Sequence, residues 1–308
     1  MTILRINWRN DIRMIEIKVL QAHQGDCIWV RCISEKTVNI VIDAGTSTFK
    51  KGFRNLVKEI NNKKERIDLL VFSHIDDDHI KGCIQYLQEK GKKIIDKVWI
   101  NGSGSRVYSD MQEHSVNNVS NLVTLIMEKN IPIETPILEG KEYVFCGGRI
   151  KVIGPTKNEM LKVATKIEHS NQVTEHAGYK YVGNIIMVVE FENKKLLFTG
   201  DSTSENIIKA VDKYYPGDEF EVVKLPHHGS PRNISRELIR RLSTNKFIIS
   251  TNKALEKVVL FRFAEERKTT ELLCNYEWWA TGYFTEDDIK KYFDTNEGTD
   301  RRTKKIRS

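Results

Sequence analysis

The segment Ser73-His74-Ile75-Asp76-Asp77-Asp78-His79 is the most informative part of this sequence for fold and chemistry. It follows a short apolar run that is typical of a buried strand. In an extended segment alternate side chains point the same way, so His74, Asp76 and Asp78 can share one site. His79 is expected to begin the helix that follows, where its ring would lie beside Asp78.

These residue types in this spacing point to a metal. Carboxylates are almost never fully buried unless they are paired or bound to a metal. Imidazole nitrogen and carboxylate oxygen together suit a divalent ion without any thiolate. The alternative is an exposed acidic loop with two surface histidines. Two later segments argue against it, because Gly200-Asp201 and His227-His228-Gly229-Ser230 also follow apolar strands.

Strand-like and helix-like runs alternate over residues 13–250, which predicts an α/β fold. Loops rich in His and Asp follow several of the strands, and such strand ends are where α/β proteins place their chemistry. Strands are predicted at 14–20, 27–32, 38–42, 67–72, 97–100, 150–153, 185–189, 195–199, 221–225 and 247–250, and helices at 52–63, 80–89, 116–129, 204–214, 233–242 and 286–293.

The ordered set of motifs resembles the metallo-β-lactamase superfamily, and within it the ComEC-like branch. The common superfamily motif is His-x-His-x-Asp-His, whereas this chain has His-x-Asp-x-Asp-His. The resemblance implies an α/β fold, an αββα sandwich of the metallo-β-lactamase type, as a hydrolase domain over 1–250. Residues 251–308 would be a C-terminal appendage. The matching motifs are Gly25-Asp26, Asp43-Ala44-Gly45, Ser73 to His79, Thr199-Gly200-Asp201 and His227 to Ser230.

The resemblance also implies two divalent metal ions, zinc or manganese, with magnesium or iron as alternatives. Asp201 would bridge the two ions, and Asp43 and Asp26 would orient the ligands around them. The remaining ligands would be His74 and Asp76 at site one, Asp78 and His79 at site two, and either His227 or His228 at site two, with the choice between these two open.

Two departures from the superfamily pattern matter. Asp76 stands where the common motif has its second histidine, and an oxygen ligand lets manganese, magnesium or iron compete better with zinc. We therefore expect better activity with manganese than with zinc. The third histidine of site one is not identifiable. His169 and His176 are candidates for it, although each alone is more typical of a surface histidine.

Such a site predicts a metal-dependent hydrolase, a phosphodiesterase or nuclease that uses a metal-bound hydroxide. Asp78 or Asp201 would hold the water and take its proton, and His228 is the third catalytic candidate. Whichever of His227 and His228 is not a ligand would protonate the leaving group. One alternative is a hydrolase of a small ester, lactone or cyclic nucleotide in a closed pocket. A non-catalytic regulatory module with a structural metal is another.

Charge and composition say less about partners. The chain has 49 basic and 42 acidic residues, and residues 301–308 carry five of the basic ones and no acid. This basic tail can hold nucleic acid or lie solvated. The aromatic segment 276–284 could stack bases, cap the core or contact a protein partner. Five cysteines without a C-x-x-C pair, no export signal and no apolar run of membrane length favour a cytoplasmic protein without a membrane span.

Overall fold

A computed structural model describes residues 1–7, 13–101, 113–160, 183–267, 269–277, 283–292 and 303–307, with the backbone alone for 113–117 and 303–307. Its strands are β1 Thr2–Asn7, β2 Met14–Val19, β3 Ile28–Ile33, β4 Val38–Ile42, β5 Leu69–Phe72, β6 Val98–Ile100, β7 Ile133–Glu134, β8 Glu142–Phe145, β9 Gly148–Gly154, β10 Ile186–Phe191, β11 Lys194–Phe198, β12 Val222–Lys224, β13 Lys246–Ile249, β14 Thr269–Cys274 and β15 Thr303–Arg307. Its α-helices are α1 Lys50–Asn62, α2 Asp77–Gln88, α3 Glu113–Glu128, α4 Ser204–Tyr214, α5 Arg236–Arg241, α6 Lys257–Glu266 and α7 Glu286–Tyr292.

The strands form two mixed sheets. The first has the order β1-β2-β3-β4-β5-β6-β7, in which β1 to β4 are antiparallel neighbours and β4 to β7 run parallel. The second has the order β15-β14-β13-β12-β11-β10-β9-β8, with β11 to β14 parallel and the outer pairs antiparallel. In each sheet, antiparallel strands lead into parallel strands, and helices connect these because parallel neighbours need a long crossover connection.

Three apolar clusters order these elements into four layers. One cluster lies between the sheets and joins residues such as Ile17 and Val71 of the first sheet to Val189 and Ile248 of the second. The second cluster packs α1, α2 and α3 on the outer face of the first sheet. The third packs α4 to α7 on the outer face of the second. The architecture is therefore a helix–sheet–sheet–helix sandwich, which confirms the predicted fold class.

The structure extends the second sheet beyond residue 250. Strand β14 pairs with β13, and β15, which contains part of the basic tail, pairs with β14. These strands carried little signal in the sequence, because β14 reads Thr269-Thr270-Glu271 before its apolar end. The domain boundary at 250 stays a prediction. None of the helices in the described ranges is long and apolar enough to cross a membrane.

Candidate metal centre

The polar strand ends of both sheets meet at one edge of the sandwich. Asp43 follows β4 and His74 follows β5, so the first sheet supplies both. Asp201 follows β11 and the pair His227 and His228 follows β12, so the second sheet supplies these. Because parallel strands present their carboxyl ends at the same edge, the topology collects side chains that are up to 185 residues apart (Asp43 to His228).

The helix that carries the first motif begins earlier than the sequence predicts. Helix α2 starts at Asp77, with Asp76 extended as its N-cap, instead of starting at His79. Two carboxylates in the first helical turn favour this start, because the helix dipole is positive there. Asp78 therefore reaches the site from the first turn of a helix, and the alternation of an extended segment applies only to His74 and Asp76.

Asp201 lies at the centre of the cluster. Its Oδ2 atom is 3.7 to 3.8 Å from the Nε2 atoms of four histidines, and the Asp201 side chain is buried. The four Nε2 atoms belong to His74 at 3.7 Å, His79 at 3.8 Å, His227 at 3.7 Å and His228 at 3.8 Å.

Each of these four rings is held by its other nitrogen. The partner of each Nδ1 is an oxygen that can only accept a hydrogen bond there, because it is a carbonyl or carboxylate oxygen or a hydroxyl that already donates to another group. Nδ1 must therefore carry the proton. Nε2 is then the unprotonated nitrogen in the neutral ring. The partners of Nδ1 are Ser73 Oγ for His74 at 3.0 Å, Asp43 Oδ2 for His79 at 2.9 Å, Asn233 Oδ1 for His227 at 2.9 Å and Ser250 O for His228 at 3.0 Å.

When the rings are neutral, four nitrogen lone pairs therefore face one carboxylate oxygen. Lone pairs and negative charge repel unless a cation lies between them. Nε2 of His79, Nε2 of His228 and Oδ1 of Asp201 are buried without a hydrogen-bond partner among the described residues. Buried polar atoms that lack a partner call for an unseen ion or water. The separations of 3.7 to 3.8 Å suit two atoms bound at about 2 Å to a shared metal, so these residues fit divalent ions.

The donors include two close groups that share His79. His74, His79 and Asp201 have ligand atoms within 4.8 Å of one another, and so do Asp78, His79 and His228. Oδ2 of Asp78 is 3.4 Å from Nε2 of His228. Asp76 completes the site on the other side, with Oδ2 at 3.7 Å from Nε2 of His74. His228 therefore lies close to both Asp78 and Asp201. The ring of His227 also lies close to Asp201.

The histidines and carboxylates of this cluster shift one another's pKa values, upward for His79 and downward for Asp201. Burial disfavours the charged ring of His79, but the carboxylates of Asp43 and Asp201 outweigh burial and raise its pKa to about 9. Burial opposes ionisation of Asp201 too, yet the nearby histidines hold its pKa at about 2. In the metal-free protein the site therefore binds protons, which a metal ion has to displace.

Asp43 and Asp26, the two expected orienting carboxylates, lie behind the ligands. Asp43 accepts hydrogen bonds from the backbone N–H and the hydroxyl of Ser73, each at 2.7 Å, in addition to the ring of His79. Oδ1 of Asp26 is 3.3 Å from Nδ1 of His228. Both carboxylates are buried. Such outer contacts fix the orientation and the tautomer of a metal-binding histidine.

Backbone strain is concentrated at the same place. Asp43, His227 and His228 have positive φ angles of 60°, 46° and 55°. Residues other than glycine rarely adopt this left-handed conformation, which costs of order 1–3 kcal/mol for each residue. The strain turns the two histidine rings from one short segment toward Asp201, and the packing around the site has to maintain it.

A cleft of about 350 Å³ opens beside the cluster. Asp78 and both histidines of the pair line one side, and the loop 251–256 lines the other. This loop lies outside the segment that carried the family resemblance. The lining residues also include Ser230.

Some residues of the site gave no signal in the sequence. Asn233 holds the ring of His227 and also donates to the backbone carbonyls of Asp201 and Ser202. Asn184 accepts from the backbone N–H of Asp201. Asparagines are common in loops, so only their three-dimensional position distinguishes them. His169 and His176, the candidates for a further ligand, lie outside the described residues.

Because Gly25 has no side chain, the first turn of α2 can pack closely against its backbone. A Cβ atom at this position would lie 1.9 Å from the carbonyl oxygen of Asp78. We expect Gly25→Ala to cost about 1–3 kcal/mol of stability, as overpacking does, and to weaken metal binding because Asp78 must move. Thermal unfolding and metal titration measure both effects. The control is Gly183→Ala, whose Cβ would meet, among the residues that the structure describes, only Sδ of Met160 at 3.7 Å. Equal behaviour of the two variants would contradict this packing argument.

The chain is similar to known proteins in part of its sequence and in its fold. Residues 20–99 match the model of the metallo-beta-lactamase superfamily, and this segment contains Asp26, Asp43 and the motif from Ser73 to His79. No curated protein matches the chain in sequence. Similar solved structures include the metallo-beta-lactamase fold protein YhfI from Bacillus subtilis, with 9% identity, a TM-score of 0.46, and coverage of 81% of this chain and 88% of that one.

Another similar structure is CmlA, a diiron beta-hydroxylase from Streptomyces venezuelae. The identity is 12% and the TM-score 0.45, with 80% of this chain and 46% of that chain covered. The present chain therefore spans about half the length of CmlA. Two mixed sheets flanked by helices, together with the family match over 20–99, give the chain a metallo-β-lactamase fold.

Proposed function

From this metallo-β-lactamase fold and its cluster of donors, we propose that the protein is a metal-dependent hydrolase that cleaves phosphodiesters, with nucleic acid as the principal substrate class. The observation that carries the proposal is the convergence of four Nε2 atoms on Oδ2 of Asp201. A purely structural metal site needs four ligands and no open side. Here more donors converge than one ion needs, and a cleft reaches them.

The proposed ligands follow the geometry. His74, Asp76 and Asp201 would hold one ion. Asp78, His79 and His228 would hold the other, with Asp201 shared. When bound, such ions supply Lewis acidity and lower the pKa of water. The oxygen donor of Asp76 supports manganese over zinc as the activating metal.

The chain's own groups would handle the protons. Asp201 and Asp78 have lowered pKa values, because nearby histidines outweigh the effect of burial, so both remain ionised at neutral pH. They can orient a water molecule for attack and accept its hydrogen bond. His227 is more exposed than the other three rings, since about a third of its side chain is accessible, and it lines the cleft. It is therefore the residue placed to protonate a leaving group.

The decisive experiment compares two adjacent carboxylates. Asp78 faces the cluster, whereas Asp77 accepts a hydrogen bond from Asn118 at 2.8 Å and pairs with Lys81 on the outer side of the helix. Single-stranded DNA, duplex DNA, RNA and bis-p-nitrophenyl phosphate are incubated with the purified protein and Mn²⁺ or Zn²⁺. We expect cleavage with Mn²⁺, lost in Asp78→Ala by about 10³-fold or more and retained in Asp77→Ala.

The outcomes separate the parts of the proposal. Equal activity in the two variants would rule out the metal centre as the source of the cleavage. Cleavage of the small diester alone would reject nucleic acid as the substrate class. A higher rate with Zn²⁺ than with Mn²⁺ would contradict only the metal preference inferred from Asp76.

A small-molecule hydrolase is the second candidate. The cleft volume of about 350 Å³ lies in the range of pockets that enclose small ligands, about 300–1,000 Å³. A cyclic nucleotide, a small ester or a lactone would use the same metal centre. Turnover of one of these together with inert nucleic acid would favour this candidate.

A further inference from the structure

We propose that Lys224 and Asp26 form a brace between the two sheets that positions Asp201 and His228 for metal binding. The inference rests on the metal centre proposed above and concerns residues behind its ligands. Lys224 would have a positioning role. Its ammonium group lies beside side chains of the proposed site, whereas Lys224 is not among the residues that line the cleft.

Lys224 is placed in the interior by the alternation of strand β12. Val222 contributes to the cluster between the sheets and Val223 to the cluster under the helices. Side chains two residues apart share a face, so Lys224 points between the sheets, at the edge where the metal centre lies. Only 2% of its side chain is exposed. A lysine so deeply buried requires anionic partners.

Those partners join three separate segments. The ammonium of Lys224 forms an ion pair with Oδ2 of Asp26 and donates to the backbone carbonyl of Gly200 at 3.2 Å. It also lies 3.9 Å from Oδ1 of Asp201. Asp26 belongs to the turn between β2 and β3 of the first sheet, whereas Gly200 and Asp201 follow β11 of the second. One buried cation therefore ties the two halves of the ligand set together.

Both carboxylates divide their oxygens between the brace and the centre. Asp26 turns Oδ2 to Lys224 and Oδ1 to the ring of His228 at 3.3 Å. Asp201 turns Oδ1 toward Lys224 and Oδ2 toward the four histidines. Lys224 thereby fixes which oxygen of Asp201 faces the metal side, and through Asp26 it restrains His228.

Electrostatics agree with a permanent ion pair. Burial disfavours the charge on Lys224, but Asp26 and Asp201 raise its pKa above the ordinary value. Burial likewise opposes the charge on Asp26, which Lys224 and His228 outweigh, so its pKa lies well below the ordinary value. Removing one member leaves the other as an uncompensated buried charge, whereas removing both can be nearly neutral for folding.

This difference separates positioning from simple stability. The variants are Lys224→Met, Asp26→Asn and the double variant, which removes both charges of the ion pair. Binding of Mn²⁺ is measured by calorimetry, and the visible spectrum of bound Co²⁺ reports ligand geometry. We expect Lys224→Met to bind metal about 10–100-fold more weakly, the range found for residues behind metal ligands. The double variant should regain thermal stability but remain at least about 10-fold weaker in metal binding, with an altered Co²⁺ spectrum.

Lys93→Met is the matched control. Lys93 is also a buried lysine, but its ammonium donates to the backbone carbonyls of Tyr86 and Glu89 behind helix α2. Its replacement should lower stability and leave metal affinity unchanged. A double variant with unaltered affinity and spectrum, in a protein that binds metal, would overturn the brace alone. If the unaltered protein binds neither Mn²⁺ nor Co²⁺, the proposed function fails, and the brace fails with it.

Discussion

Asp201→Asn is expected to reduce metal-dependent turnover by at least about 10³-fold while the protein stays folded. The amide is isosteric but neutral, and it places an N–H₂ group where one oxygen now lies. The four imidazole nitrogens around Oδ2 would lose the shared anion that holds two cations in one site. The fold should persist, because Lys224 keeps its ion pair with Asp26 and its hydrogen bond to Gly200.

The measurement combines initial rates with metal content after gel filtration. Asp212→Asn serves as the control, since Asp212 lies on helix α4 and pairs with Arg241 at the surface. The control should keep the metal content and rate of the unaltered protein. Asp201→Asn with a normal metal content and rate would show that the converging nitrogens do not surround a catalytic ion.

Addition of a divalent ion to the metal-free protein is expected to raise the melting temperature by about 5–10 °C. An ion at about 100 times its dissociation constant contributes about 2.7 kcal/mol, and two ions contribute about twice that. In a chain of this size, 1 kcal/mol shifts the melting temperature by roughly 2 °C. The ion stabilises the protein because it binds the cluster of carboxylates and imidazoles that exists only in the folded chain.

Differential scanning fluorimetry after chelation and back-titration with Mn²⁺ measures this shift. The response should shrink in Asp78→Ala and stay intact in Asp77→Ala, because only the former removes a donor near His79 and His228. If no divalent ion changes the melting temperature, the cluster does not bind metal, and protons alone neutralise its charge.

Much of the fold could be read from the chain. Strands β2 to β6 and β9 to β13 lie within about two residues of their predictions, because their apolar runs end in clear turn signals. Helix α4 has the predicted bounds, Ser204 to Tyr214. Strands β1, β7, β8, β14 and β15 were not predicted. They are short, polar or at sheet edges, where packing against a neighbour outweighs the local preference of the chain.

Some residues of the candidate site could be predicted from the sequence, and others could not. The residues with reactive side chains were predictable, because histidines and aspartates after apolar strands are an unusual pattern. The choice between His227 and His228 was not, because both rings follow one strand and only their left-handed backbone turns both toward Asp201. Asn184 and Asn233 were beyond prediction for a similar reason, since a loop asparagine looks the same wherever it folds.

Local patterns in the chain predict the α/β class and the histidines and aspartates of the candidate site. Alternation and strand-end motifs are local properties, so the chain carries them before it folds. Three-dimensional packing is what places Asp201 among four imidazoles, lines the cleft with the loop 251–256 and brings Lys224 against Asp26 between the sheets. These contacts join residues from different sheets, and the packing of the two sheets against each other is what creates them.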